Sequence, residues 1–221
     1  VVRSAALSAL VNGGDPAVTA SLLGDWSALS VPARRSLVAS MLASASTAVV
    51  LLDALEQGKP SPQELEPTAR ETLKAYPVPE IQARAATLFA IKVSPEKEAL
   101  IAQYKPALDL SGDRGRGAGV FAMNCLPCHT VLGFGQKVGP DLSALTTKTK
   151  EQLIHDILDP SAEVSPDFVN YTIATFDLEV INGVIGAETA TSVTIKQAAG
   201  IEVTVMRDNI EEMGASTASL M

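Results

Sequence analysis

The chain has 221 residues, 47% of them hydrophobic but only 4% aromatic, and a formal net charge of −8; this allows one large domain or two modest ones built on Ala/Leu-rich packing. The acid excess lies in one half, since residues 1–110 carry 10 basic and 11 acidic side chains and residues 111–221 carry 7 and 14. Such a surface argues against nucleic acid as a partner.

The opening "VVRSAALSAL" lacks the basic start and cleavage site of a secretory leader, so a piece of a longer precursor is expected. Residues 1–110 read as a run of short helices. Proline marks their starts at Asp15-Pro16, Val31-Pro32, Ser61-Pro62, Val78-Pro79 and Ser94-Pro95, because proline at the first helical position gives up only an amide that has no intrahelical partner. Ser61 and Glu64 form a capping box across "SPQE". Helices of this length joined by short loops predict an all-α, HEAT-like repeat domain. Ser36 to Leu52 carries no charge but is rich in Ser and Ala and bounded by Arg35 and Asp53. It predicts two helices with a turn near Ser44–Ser46 rather than a membrane span. Trp26 is expected in packing, and the Arg34-Arg35 pair on a solvated surface.

The centre of the chain holds "RGAGVFAMNCLPCHT", in which Cys125 and Cys128 are the only cysteines and His129 is one of two histidines. Gly117, Val120 and Phe121 recur at helical spacing and lead into the cysteines. C-x-x-C-H is the attachment signature of a c-type haem. Thiols at i and i+3 present on one side of a helical turn, and the adjacent imidazole can bind iron from the proximal side. Other uses of a C-x-x-C pair are a zinc knuckle or a dithiol redox centre. Zinc would have only Cys125, Cys128, His129 and His155 to draw on, at no usual spacing. A thioredoxin-like motif should follow a strand, which the residues before Cys125 do not resemble. One covalent haem is therefore expected, and it would use both thiols.

Downstream comes a glycine-rich loop, "GFGQKVGPDLSAL". Leu153, Ile154, Ile157 and Leu158 then form the apolar face of a helix ending before Pro160. On that wheel His155 lies roughly 130° from the Leu153/Ile157 face at about 100° per residue, which predicts a solvated histidine. The runs "FVNYTIATF", "EVINGVIGAET", "TSVTIKQ" and "IEVTVM", separated by Asp177, Thr189-Ala190 and Ala199-Gly200, predict an antiparallel meander of about four strands over 168–206. The expected fold class is α+β: a helical repeat domain over 1–110, then a cytochrome c-type helical domain over 111–221 with a β-sheet insertion.

The order G-x-x-V-F, three residues, C-x-x-C-H and then Gly139-Pro140-Asp141-Leu142 resembles a class I cytochrome c. That resemblance implies that the Pro140 carbonyl holds the second ring nitrogen of His129 and fixes its tautomer. Phe121, Phe134, Leu142, Leu145, Leu153 and Ile157 are the candidate haem-pocket residues. Over a longer span, "GVFAMNCLPCH", "GPDL", "LIHDILDPSAEVSPDFVNY", "SVTI", "RDNIEE" and "SLM" resemble, in order, a bacterial haem-binding domain family. In that family the domain follows HEAT-like repeats and a β-propeller dehydrogenase-like module in exported proteins. The resemblance implies electron transfer in the periplasm or an equivalent compartment, with a dehydrogenase module or a redox protein bearing a basic docking face as partner. It makes Met221 of "SLM" the axial thioether, with Met213, Met206 and His155 as rivals and Met123 too close to the attachment motif. The family continues past "SLM" into a further helix, so the end that carries Met221 is expected to fray here. The other readings are a peroxidase-like haem enzyme with an open sixth site, and a scaffold stapled by haem or zinc.

Overall fold

The computed structural model describes residues 2–13, 15–90 and 94–221. The chain is mixed α+β and divides into two units: the first runs to Ala90 and takes in Met213–Ala215, and the second holds the remainder to Met221.

The first unit contains α1 (Val2–Asn12), α2 (Pro16–Gly24), α3 (Val31–Met41), α4 (Ala45–Glu56), α5 (Pro67–Lys74) and α6 (Pro79–Leu88). Helices α2, α3 and α6 start with proline at the first or second position as expected, and Pro67 opens α5 in the same way. Ser61-Pro62, in contrast, opens only a three-residue 3-10 turn, Pro62–Glu64. The uncharged stretch from Ser36 does split. The Ser44 hydroxyl caps α4 by accepting from Thr47 N, and Thr47 Oγ1 donates to Met41 O at 2.7 Å, which locks the turn between α3 and α4. Among the described residues, no helix is long and apolar enough to cross a membrane. Alternate helices stack: α1 lies on α3, α2 on α4, and α4 on α6, which also meets α5. Leu37, Met41, Leu51, Leu52, Leu55, Leu73 and Ile81 are wholly buried between them, each contributing roughly 1.5–3 kcal/mol.

Arg34 corrects the expectation of a solvated arginine pair, because it is only 4% exposed. Its Nη1 meets Glu64 Oε1 at 3.1 Å and its Nε donates to Trp26 O at 3.1 Å. The guanidinium lies 5.4 Å from the centroid of the Trp26 ring. Trp26 Nε1 also donates to Glu64 Oε1, at 2.8 Å, while Glu64 Oε2 closes the capping box on Ser61 N. The cap predicted from "SPQE" thus supplies the counter-charge that lets an arginine enter the core. Arg35, half-exposed, pairs with Glu66.

The second unit begins earlier than the expected boundary at 110. Helix α7 (Pro95–Tyr104) belongs to it because it packs on α9 (Lys150–Leu158), where Lys97 Nζ donates to Leu158 O at 2.7 Å. Helix α8 (Arg114–Asn124) leads into the cysteines. A short hairpin follows, β1 (Thr130–Val131) with β2 (Phe134–Gly135), where a loop alone had been expected. Its two-residue turn, Leu132-Gly133, has positive φ at both positions, the geometry that matches strand twist.

The large sheet has five strands rather than four: β3 (Asn170–Thr175), β4 (Val180–Glu188), β5 (Ser192–Lys196), β6 (Glu202–Met206) and β7 (Ile210–Ala215), in the order β6-β5-β4-β3-β7. The first four form the predicted meander, with registers such as Ile173↔Ile181 and Thr194↔Thr204. Alternate residues Tyr171, Ile173 and Thr175 are buried on β3, as are Val193 and Ile195 on β5, which is the period of a sheet with one covered face. The sheet therefore runs to 215, not 206. Glu211-Glu212 and Gly214 in "IEEMGA" break the alternation by which β7 could have been read.

Candidate functional site

Helix α8 starts on an Asp113 cap, whose Oδ1 accepts from Arg116 N at 2.9 Å, and ends with Cys125 as its C-cap. Cys125 N donates to Phe121 O at 2.8 Å, so the first thiol is fixed to the last helical turn. The chain then makes one more turn, in which Cys125 O accepts from Cys128 N at 3.1 Å and from His129 N at 2.8 Å. Both thiols and the imidazole therefore share one rigid turn. The cysteines are free and half-buried. Burial raises the Cys125 thiol above its ordinary pKa, and the negative end of a helix dipole also disfavours a thiolate there. A dithiol oxidoreductase needs the opposite environment.

His129 is held from three sides. Its Nδ1 donates to Pro140 O at 2.9 Å, because a carbonyl can only accept; this leaves the lone pair on Nε2. Gly139 lies against the ring, and a Cβ there would stand 2.6 Å from Cε1. Gly135, at φ +100°, runs so close to the His129 carbonyl that no side chain fits. The 139–143 loop is stitched to the segment after the histidine: Leu142 N donates to Thr130 O at 2.8 Å, Thr130 Oγ1 to Asp141 Oδ2 at 2.9 Å, and Leu132 N to Ser143 Oγ at 2.8 Å. Bonds from Ser143, its hydroxyl before its N–H, and then from Thr130 hold Asp141 below the usual carboxylate range, with Lys137 adding a smaller effect. Sequence reading gave Asp141 no role of its own and left out Thr130 and Ser143. The signal was present in "DLS", since an Asp accepting from the amide two residues on is an Asx turn, here Ser143 N to Asp141 Oδ1 at 2.7 Å.

The six expected pocket residues are not buried together. Phe121, Leu142, Leu145 and Leu153 are half-buried, while Phe134 is 73% and Ile157 60% exposed. None of α7, α8 and α9 buries a single residue, and Val120, Met123 and Leu132 add to the exposed apolar surface of this half of the unit. His155 is half-buried, not solvated as the wheel predicted; a wheel carries no information about which neighbours pack on the helix.

Of the candidate thioethers, Met206 ends β6 and Met213 lies within β7. Met221 lies beyond the sheet on a segment that is tied down rather than frayed. Ser216 N donates to Asn170 O at 2.7 Å, Asn170 Nδ2 to Ala218 O at 3.3 Å, and Ser219 N to Ser161 Oγ at 3.0 Å. These bonds bring the exit of the sheet back to its entry and to the turn that follows α9. Neither a family model nor a curated protein matches this sequence.

Proposed function

We propose that the second unit carries one covalent c-type haem and transfers electrons for an exported dehydrogenase-like module. The observation that carries this reading is the Cys125–His129 turn, with His129 Nδ1 bonded to Pro140 O and Nε2 left to bind a metal. Each thiol would add across one vinyl group, sulfur to one carbon and hydrogen to the other, so nothing leaves and no oxidant is consumed.

When bound, the haem supplies a one-electron ferrous/ferric couple. The chain's own residues do the rest. Cys125 and Cys128 would hold the haem, and His129 Nε2 would bind its iron. Pro140 and Gly139 keep the imidazole in a single tautomer and plane. The exposed side chains of Phe134 and Ile157, with half-buried Phe121, Leu142, Leu145 and Leu153, are the apolar surface that a macrocycle would cover. Met221 would be the thioether that binds the iron, because its segment is anchored to Ser161 beside α9 whereas Met206 and Met213 belong to strands. The alternate-helix stacking of the first unit supports a HEAT-like repeat. The acidic half supports a partner with a basic docking face.

A zinc staple finds less support, since among the described residues no three of His, Cys, Asp and Glu are grouped to hold an ion. The test is the intact mass of protein from a host with cytochrome c maturation. One added haem that survives acid–acetone extraction is expected, and an unmodified mass defeats the reading.

A further inference from the structure

Every carbonyl of the Cys125–Cys128 loop has a donor. That of Cys125 is satisfied within the turn, Leu126 O accepts from Gln136 N at 3.0 Å, and Cys128 O accepts from Val138 N at 2.9 Å and Gly139 N at 2.6 Å. The remaining one, Pro127 O, is different, because its donor comes from the β sheet: Ala199 N, at 2.8 Å. Ala199 lies in the three-residue turn between β5 and β6, closed by Gln197 N on Ile201 O at 2.8 Å. It is held at φ 62°, ψ 15°, a left-handed conformation that L-residues adopt only at a cost. A second contact reinforces the first. The Gln136 side chain rests where a Cβ of Gly200 would be, its Oε1 2.3 Å from that point, so the same turn touches the residue that satisfies Leu126.

We infer that the Ala198–Gly200 turn is a clamp that holds the thiol-bearing loop in register, making the β insertion a positioning element for cofactor attachment. Its role in attachment rests on the haem reading; the clamp itself does not. The two residues between the cysteines, Leu126 and Pro127, determine whether both sulfurs face the same side. Their carbonyls are fixed by Gln136 and by Ala199, one restrained and the other supplied by the sheet turn. Without the clamp, Pro127 O would bond to water and the loop could rotate about the Cys125–Cys128 segment. A polar N–H aimed away from its own hairpin, at the cost of a left-handed alanine, is what such a clamp requires.

The experiment compares the full chain with two variants. In one, Ala198-Ala199-Gly200 is replaced by Asn-Gly, which still closes the hairpin but is too short to reach Pro127. In the other, Ala199→Gly keeps the N–H and relieves the backbone. In unloaded protein, alkylation of Cys125 and Cys128 should accelerate at least threefold in the shortened variant, with the sheet's circular dichroism intact, and stay at the wild-type rate in Ala199→Gly. In loaded protein the shortened variant should shift the reduction potential while Ala199→Gly does not. Hydrogen exchange on the wild type gives a measurement that needs no variant: the Ala199 amide should be protected although it lies at a turn. An unprotected Ala199 amide, or equal alkylation rates in all three proteins, overturns the clamp. Faster alkylation of the shortened variant in a chain that never acquires haem would instead uphold the clamp and defeat the haem reading.

Discussion

His129 Nδ1 donates to the Pro140 carbonyl at 2.9 Å across eleven residues of chain, and the glycine before that proline lies flat against the same ring. The bond uses backbone at one end, so it depends on the path of the loop more than on the proline side chain. On the proposed haem reading, Pro140→Ala should therefore keep a low-spin spectrum and shift mainly the potential. Gly139→Ala places a methyl 2.6 Å from Cε1, which turns the ring off the carbonyl, and such losses of a ligand's partner weaken metal binding about 10- to 100-fold. His129→Ala should abolish the low-spin form. An absorption spectrum of each loaded variant checks the series, and a Gly139→Ala spectrum matching wild type would contradict it.

The proposed ligation by Met221 is tested by the sulfur-to-iron band at the red edge of the ferric spectrum of haem-loaded protein. Met221→Ala is expected to lose it, while Met206→Ala and Met213→Ala keep it, because both rivals belong to strands of the sheet. Ser161→Ala should weaken the band without removing it, since Ser161 Oγ anchors the segment through Ser219 N. Loss of the band in Met213→Ala alone would move the ligand to β7.

Two adjacent arginines should differ sharply. Arg34→Met leaves Glu64 buried without its cation and should destabilise the helical unit by about 3–5 kcal/mol in a urea titration. Arg35→Ala removes an ion pair open to solvent and should cost at most about 1 kcal/mol. Equal effects would mean that the buried network contributes nothing of its own.

Asp141 gives a pH dependence with a definite sign. Its folded pKa is depressed, so its contribution is present above the ordinary aspartate value of about 3.9 and is lost as pH falls through the lower folded value. The Thr130–Ser143 stitching should then loosen only below about pH 4, and Asp141→Asn should remove that acid step. A carbon-detected titration of Asp141 gives the folded value directly; a midpoint at or above the ordinary one would refute the assignment.

What was legible in the sequence was what local chemistry enforces. Prolines at first helical positions, the Ser44 break in an uncharged run, the Ser61–Glu64 cap and the alternation of the first four strands each act within a few residues. The spacing of Cys125, Cys128 and His129 belongs to the same class, because one turn of backbone hydrogen bonds is enough to bring them together. Met221 could be named only through a resemblance, and its segment's anchorage could not be read at all.

The tertiary structure decided whatever depended on a distant partner. Arg34 reads as a surface charge until Glu64, thirty residues on, supplies its counter-charge inside the core. Strand β7 lacks a clear alternation of its own and becomes a strand because β3 offers an open edge. Helix α7 joins the second unit because α9 lies beside it. Ala199 carries no mark in the sequence, yet its N–H reaches Pro127. Local patterning is encoded by neighbours in the chain, whereas burial, edge pairing and a hydrogen bond across seventy residues depend on where the rest of the fold places the other partner.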